Sequence, residues 1–357
     1  MMETLKIKSR IRDYDVYFQG DLSFFGALSV IEPSVCIIDK KVYNLYHDKL
    51  GTYFTQDRVF LFDAVEKNKS LDGTVEIYSF LTKRQSKKNL NIIAIGGGIT
   101  QDIAGFVSST IFRGVDWYYV PTTLLAQTDS CIGGKTSLNF QSYKNLIGTF
   151  SPPREIHIFS GFVTTLEKTD FYSGLGEVIK LQLMKKGPKD INCIRSNIER
   201  AKTDFQYLQE VIRENLSVKI AYMENDEFDQ GSRNLLNYGH CFGHALETVS
   251  NYFVPHGIAV IVGMIFANVL SYLRGMMTAD MMYSLDEDIL KPNIVIALKR
   301  DHFESDFLLN CLKNDKKITG NDLTVVIADK NLCFVKLDNV TETEFHKSLN
   351  MVLQTLF

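Results

Sequence analysis

The chain has 357 residues, 45% hydrophobic and 23% charged, which is long enough for two cores and too apolar for a disordered or fibrous chain. With 39 Lys and Arg against 42 Asp and Glu, the net charge is −3, so there is no basic footprint for nucleic acid and the cations that matter must act locally. Six widely spaced cysteines without a CxxC pair fit reduced cytoplasmic thiols better than a disulfide frame or a thiolate zinc site. Met1-Met2-Glu-Thr-Leu-Lys6 lacks the apolar run of a signal peptide, and the expected location is the cytoplasm. The longest apolar stretch, Ile258 to Leu270, has 13 residues. It is too short to span a bilayer and predicts a buried helix.

In chain order, Val16 to Phe18 and Val35 to Ile38 predict strands, the second running into Asp39. Arg58 to Phe62, Asn91 to Ile95 and Trp117 to Val120 predict further strands, with a helix over Leu71 to Lys88. Short β-branched runs alternating with helical spacing argue for a parallel α/β sheet with ligands at its carboxyl edge. After about residue 155 helical spacing dominates, over Phe171 to Lys186, Ile191 to Thr203, Phe205 to Asn225, Leu235 to Tyr252 and Ala259 to Tyr272. A short β element returns at Leu323 to Ile327 and Leu332 to Leu337. Two prolines at Ser151-Pro152-Pro153 mark the boundary. The expected domains are 1–155, an α/β sheet domain, and 156–357, a mainly helical one.

Chemistry concentrates in two stretches. Gly96-Gly97-Gly98 follows the strand at Asn91 to Ile95; glycines there let the backbone approach a bound group, and the next helix aims free N–H groups at an anion. Gly133-Gly134-Lys135 supplies a second glycine pair with a cation attached. Two such loops point to phosphorylated ligands. Later, His240 and His244 stand four residues apart, with His256 beyond them and Glu177 and Lys180 upstream. On a helix the first pair shares a face, and one Glu with two or three His suits Zn²⁺ with open positions. An isolated HxxxH is more often core or cap than ligand set, and HExxH is absent, so the usual zinc-protease helix is excluded.

Taken together, GGGxxxDxxGF at Gly96–Phe106, FRG at Phe112–Gly114, PTTLLAQ at Pro121–Gln127 and DSxxGGKT at Asp129–Thr136 form an ordered set. KNLIG at Lys144–Gly148, EVIK at Glu177–Lys180 and RxxLNxGHxxGHAxE at Arg233–Glu247 extend it, followed by HGxAVxxGM at His256–Met264 and DKK at Asp315–Lys317. By these motifs the chain resembles the 3-dehydroquinate synthase family, and more broadly the sugar phosphate cyclases, which are related in fold to metal-dependent glycerol and iron-type alcohol dehydrogenases.

The resemblance implies an N-terminal Rossmann-like domain, a helical C-terminal domain, bound NAD and one Zn²⁺ or Co²⁺. It implies Glu177, His240 and His256 as metal ligands, with His244 as a substrate-phosphate or proton-transfer partner. Lys135, Lys144, Asn145, Lys180, Lys219, Arg233 and Asn237 match positions that hold the substrate's carboxylate, hydroxyls and phosphate, and Asp129 a contact to substrate or cofactor. Arg113 matches an arginine that reaches the neighbouring subunit's site, implying a homodimer. One lysine of Lys316-Lys317 matches a phosphate or carboxylate contact. For NAD the matching positions are Asp39, Glu66, Lys69, Gly97, Gly98, Asp102, Thr122 and Thr123, with Lys135 and Lys144 near them. A carboxylate such as Asp39 at a strand end suits the ribose diol of NAD.

The implied activity is 3-dehydroquinate synthase, of the shikimate pathway to aromatic amino acids. This lyase turns 3-deoxy-D-arabino-heptulosonate 7-phosphate into 3-dehydroquinate by transient oxidation, phosphate elimination, reduction and aldol closure. Another cyclase acting on a heptulose or hexose phosphate, or a metal-dependent polyol dehydrogenase that releases NADH, stays open as an alternative. The chain departs from the family pattern at Gln101, Ile258, Glu167, Thr169, Ser151-Pro152 and Cys241. None of these removes an expected metal ligand or phosphate lysine.

Overall fold

The computed structural model describes residues 4–141, 143–185, 191–224, 226–313 and 322–357. Lys316 and Lys317 lie outside the described residues. The chain divides into two compact units, Met1–Leu166 and Glu167–Phe357.

The first unit runs β1 (Thr4–Ile7), β2 (Tyr14–Phe18), α1 (Phe25–Ser29), β3 (Ser34–Asp39), α2 (Lys40–Tyr53), β4 (Val59–Phe62), α3 (Leu71–Lys83), β5 (Asn91–Gly96) and α4 (Gly98–Thr110). It continues through β6 (Asp116–Pro121), β7 (Lys135–Phe140), β8 (Tyr143–Phe150) and β9 (Glu155–Ile158). Seven strands form one sheet in the order β1-β2-β9-β6-β5-β3-β4, parallel except for the β1–β2 pair. Because β9 pairs with both β2 and β6, residues 155–166 fold with this unit, past the prolines that end β8.

Alternation along the strands sets the two faces of this sheet. Cys36, Ile38, Ile93, Ile95 and Val120 pack against Phe25, Leu28 and Leu50. On the opposite face Trp117 lies against α4, where a Cβ on Gly105 would stand 3.2 Å from its ring. From β3 the chain crosses to β4 on one side and then returns to β5 on the other. The carboxyl ends of β3 and β5 are therefore a topological switch point, the place where open α/β sheets bind ligands. Asp39 and Gly96 end those two strands, one step beyond the paired Ile38 and Ile95. The hairpin β7–β8 forms a separate antiparallel ribbon that hydropathy did not predict.

The second unit comprises α5 (Lys168–Met184), α6 (Ile191–Ala201), α7 (Phe205–Met223), α8 (His240–Val249), α9 (His256–Leu273), α10 (Ala279–Leu285), α11 (Ser305–Lys313), β10 (Leu323–Ala328), β11 (Phe334–Val340) and α12 (Glu342–Leu356). The α9 helix is its axis. It is apolar and long enough to cross a membrane by length and composition, yet 83% of it is buried inside the fold. Small residues let its neighbours approach closely. A Cβ on Gly257 would stand 1.7 Å from the Ser173 carbonyl oxygen of α5, and one on Gly263 1.9 Å from the Gly239 carbonyl oxygen that precedes α8. The helix predicted over Leu235 to Tyr252 is broken. A 3₁₀ turn covers Ser232–Asn237, and α8 begins only after Gly239, whose φ of 78° is left-handed.

Candidate active site

In the first unit the glycine loop is built for close approach. A Cβ on Gly96 would meet Thr100 Oγ1 at 2.3 Å and one on Gly97 would meet Thr123 Cγ2 at 2.8 Å, so neither position accommodates a side chain. Gly97 is the extended cap before α4, and the first amides of that helix are left to an anion. Thr122 donates its N–H to the Gly96 carbonyl at 3.0 Å. Its hydroxyl is buried without a hydrogen-bond partner among the described residues, which fits a donor reserved for a ligand oxygen. Asp39 caps α2 by accepting from the Lys41 N–H at 2.9 Å, and burial raises its pKa.

Beside the loop, buried Lys69 reaches Asp102 Oδ2 at 2.5 Å and Asn145 Oδ1 at 2.6 Å. Asp102 Oδ1 also accepts from the Ser137 N–H at 2.9 Å. Burial raises the pKa of Asp102, opposed by Lys69. Glu66 accepts from the Asn139 amide at 2.9 Å and lies 3.8 Å from Lys144 Nζ. These contacts stitch the β7–β8 ribbon to α4 and the Glu66–Lys69 turn. Asp129 is half-buried on a π-turn over Ala126–Ser130, and Lys135 opens β7 in an exposed position. Arg113 is exposed as well, on a turn where Phe112, Arg113 and Gly114 have φ of 51°, 66° and 120°. Two adjacent non-glycine residues in the left-handed region store strain of the kind found at functional sites.

The second unit brings three elements to one point. Glu177 on α5 is fully buried, and its Oε1 lies 3.3 Å from Nε2 of His240, at the start of α8, and 3.3 Å from Nε2 of His256, at the start of α9. Lys180 Nζ sits 2.6 Å from Glu177 Oε2, one turn along α5. The ligand nitrogens of His240, His244 and His256 lie within 4.8 Å of one another. His240 and His256 face the carboxylate, whereas His244 is exposed. Each inward imidazole is held through Nδ1, His240 by the Tyr238 carbonyl at 3.2 Å and His256 by Glu247 Oε2 at 3.0 Å. Lys219 of α7 and Arg233 are buried; Arg233 donates to the Glu227 carbonyl, and its N–H donates to Asp226 at 2.9 Å. Asn237 donates to the Asn234 carbonyl at 2.9 Å.

The electrostatics match a cation site. Burial would raise the Glu177 pKa, but Lys180 and then His240 hold it well below the usual carboxylate range. Burial, reinforced by Lys180, keeps His240 below its ordinary value despite Glu177. Burial would also lower His256, yet Glu247 and Glu177 outweigh it and raise its pKa to about 10. Glu177 Oε2 is taken up by the ion pair with Lys180, while the buried Oε1, without an aligned hydrogen bond among the described residues, faces both imidazoles. A carboxylate and two Nε2 atoms so placed are a donor set for a borderline divalent ion with open positions.

Sequence comparison decides the family. The sequence profile described as 3-dehydroquinate synthase N-terminal matches residues 59–173, and that described as 3-dehydroquinate synthase C-terminal matches residues 174–318. The chain belongs to the 3-dehydroquinate synthase family. A 3-dehydroquinate synthase of Clostridium tetani (strain Massachusetts / E88) is 36% identical over 316 residues, covering 88% of this chain and 84% of its own. That of Streptococcus pyogenes serotype M3 (strain ATCC BAA-595 / MGAS315) is 30% identical over 99% of this chain and all of its own length. Among solved structures, 2-epi-5-epi-valiolone synthase from Streptomyces hygroscopicus subsp. jinggangensis 5008, with NAD⁺ and Zn²⁺ bound, superposes with a TM-score of 0.83 at 24% identity, covering 96% of this chain and 97% of that one. A 2-deoxy-scyllo-inosose synthase complexed with carbaglucose-6-phosphate, NAD⁺ and Co²⁺ gives 0.83 at 21% identity, covering 98% of this chain and 100% of that one. At these identities the structural likeness speaks to the fold.

The two matches to the 3-dehydroquinate synthase family contain every expected site residue except Asp39, which precedes residue 59. Four contributing residues escaped the sequence reading. Asn139 holds both Glu66 and the Asn145 N–H. Gln101 and Ser130 exchange hydrogen bonds at 2.7 and 2.8 Å between α4 and the π-turn of Asp129. Glu247 braces His256. Only Glu247 left a signal, seven residues after His240 and so on the same helical face.

Proposed function

We propose that this protein is a 3-dehydroquinate synthase, an NAD- and metal-dependent lyase. It cyclises 3-deoxy-D-arabino-heptulosonate 7-phosphate to 3-dehydroquinate with release of phosphate. Convergence of Glu177, His240 and His256 beside the buried Lys180 carries this reading, within a chain whose family is established by its sequence.

NAD binding is assigned to the first unit. Asp39 would accept from the adenosine ribose, and Gly97, Gly98, Thr122 and Thr123 would receive the pyrophosphate at the α4 N-terminus. Glu66, Lys69 and Asp102 would brace the cofactor, with Lys135 and Lys144 near it. Metal binding is assigned to Glu177, His240 and His256 in the second unit. Once bound, the divalent ion supplies electrophilic polarisation of substrate oxygens and NAD supplies a hydride acceptor.

The remaining residues bind and orient. Lys135, Lys144, Asn145, Lys180, Lys219, Arg233 and Asn237 are assigned to the substrate's carboxylate, hydroxyls and phosphate, with Asp129 as a further contact. Fixed cations suit a doubly anionic sugar because charge-assisted bonds supply both affinity and orientation. His244, exposed beside two half-buried histidines, is assigned to moving a proton or meeting the phosphate. Arg113 is assigned to a partner subunit's site in a homodimer, and its strained, exposed turn supports that role. Six free thiols fit a cytoplasmic setting.

Incubation with NAD⁺, Zn²⁺ and the heptulosonate phosphate tests the reaction class. Phosphate should appear without net NADH, because the hydride returns within each turnover. Stoichiometric NADH accumulation without phosphate release would refute the cyclase reading in favour of a polyol dehydrogenase.

A further inference from the structure

His240 and His256 present the same atom, Nε2, to the same Glu177 oxygen at the same 3.3 Å. Their outer nitrogens are held differently. Nδ1 of His240 meets a backbone carbonyl, that of Tyr238, whereas Nδ1 of His256 meets the Glu247 carboxylate at 3.0 Å. Glu247 is 7% exposed and stands one turn beyond His244 on α8. An ionised carboxylate only accepts hydrogen bonds, so this contact holds a proton on Nδ1, and a divalent ion taking the place of the Nε2 proton beside Glu177 would meet the Nε2 lone pair of a neutral His256.

We propose that Glu247 is a positioning residue for the metal centre: it fixes the Nδ1–H tautomer of His256 and adds a second buried negative charge beside Glu177. The inference rests on the reading that Glu177, His240 and His256 hold a divalent ion. With both histidines neutral, as metal binding requires, the group formed by Glu177, Glu247 and Lys180 carries one net negative charge. Replacing Glu247 by glutamine makes that group neutral. It also lets an amide N–H face Nδ1, which favours the tautomer whose Nε2 is protonated and unable to bind a metal. Both effects weaken metal binding. Outer-shell partners of this kind change metal affinity by about 10- to 100-fold. A purely structural strap between the end of α8 and the start of α9 behaves otherwise, because the glutamine carbonyl could still accept the hydrogen bond.

The test is the zinc dissociation constant, measured by chelator competition on the wild type and on E247Q and E247D, with urea unfolding of the metal-free proteins alongside. The expected result is about 10- to 100-fold weaker zinc binding in E247Q, partial recovery in E247D, and metal-free unfolding midpoints that do not follow the loss. Equal zinc constants for wild type and E247Q overturn the inference. Failure of the wild type to bind one zinc ion refutes the metal reading itself, so the two failures are distinguishable. Should E247Q not fold, nitrogen NMR of the zinc-loaded wild type addresses the same point. A protonated Nδ1 on His256 supports the proposal, and zinc bound through Nδ1 overturns it.

Discussion

The contact between α5 and α9 gives the sharpest prediction, because it separates two carriers of the proposed metal ligands by almost no space. Gly257 follows His256, and its N–H donates to Ser173 Oγ at 3.0 Å. A Cβ there would stand 1.7 Å from the Ser173 carbonyl oxygen, while one on Gly176 would stand 2.2 Å from the Gly257 carbonyl oxygen. In Gly257→Ala the helices must separate by about 1.7 Å to reach the 3.4 Å of ordinary contact. The obstacle is backbone, so no rotamer change relieves it. Overpacking costs about 1–3 kcal/mol, and rigid backbone on both sides places this case near the upper value, about 3 kcal/mol. The same movement opens the 3.3 Å separation of Glu177 and His256; a 1 Å misplacement can cost about 100-fold in rate. Urea unfolding, zinc content and turnover of Gly257→Ala should all fall together. Gly51→Ala is the control, since nothing among the described residues lies within 4 Å of its Cβ position in α2, and it should gain about 0.5 kcal/mol from the reduced freedom of the unfolded chain. Wild-type stability with full zinc content in Gly257→Ala would refute the view that this close approach positions the ligands.

Two further substitutions probe other parts of the account. Arg113→Ala should lower turnover by about 10- to 100-fold, the value of one or two charge-assisted bonds, while zinc content stays at the wild-type level. Mixing it with inactive His256→Ala should restore activity in hybrid dimers, in which one site has an intact metal centre and the partner's arginine; no recovery would contradict a shared site. Asp286→Asn tests a buried acid in the Tyr238–Asn268–Asp286 chain, where the Asn268 amide donates to Asp286 at 2.8 Å. Burial raises the Asp286 pKa from 3.8 to about 8, so the folded state holds a proton that the unfolded state has lost. The stability this gives is complete below pH 3.8 and declines as pH rises toward 8. Between those limits wild type should lose about 1.4 kcal/mol per pH unit relative to Asp286→Asn. Parallel stability curves for the two proteins from pH 5 to 8 would count against a neutral buried Asp286.

Much of the sheet was legible because β3 and β5 are buried parallel strands and so read as short apolar runs. The β7–β8 ribbon was not, since β8 buries no residue fully and Gly133-Gly134, just before β7, read with Lys135 as a phosphate loop. Helix ends failed where a left-handed residue intervened. Gln85, with φ of 54°, follows the end of α3, whereas composition had carried that helix to Lys88. Gly239 separates the 3₁₀ turn from α8 because its Cβ would stand 2.6 Å from the Val260 carbonyl oxygen, a tertiary contact absent from local spacing. At the proposed metal site, spacing alone put His240 and His244 on one face without choosing between them. The fold separates them by turning His240 toward Glu177 and leaving His244 exposed. The Lys69–Asp102–Asn145 cluster joins residues from three separate segments, so periodicity could not pair them.

The measurement that bears most directly on the whole account is phosphate release by the purified protein with NAD⁺ and Zn²⁺, comparing the carboxylated heptulosonate phosphate with neutral heptulose and hexose phosphates. Release from the carboxylated substrate alone is the predicted result, because Lys219 and Arg233 are buried cations assigned to its anionic groups. Release from a neutral sugar phosphate alone would contradict it and move the protein to another sugar phosphate cyclase activity.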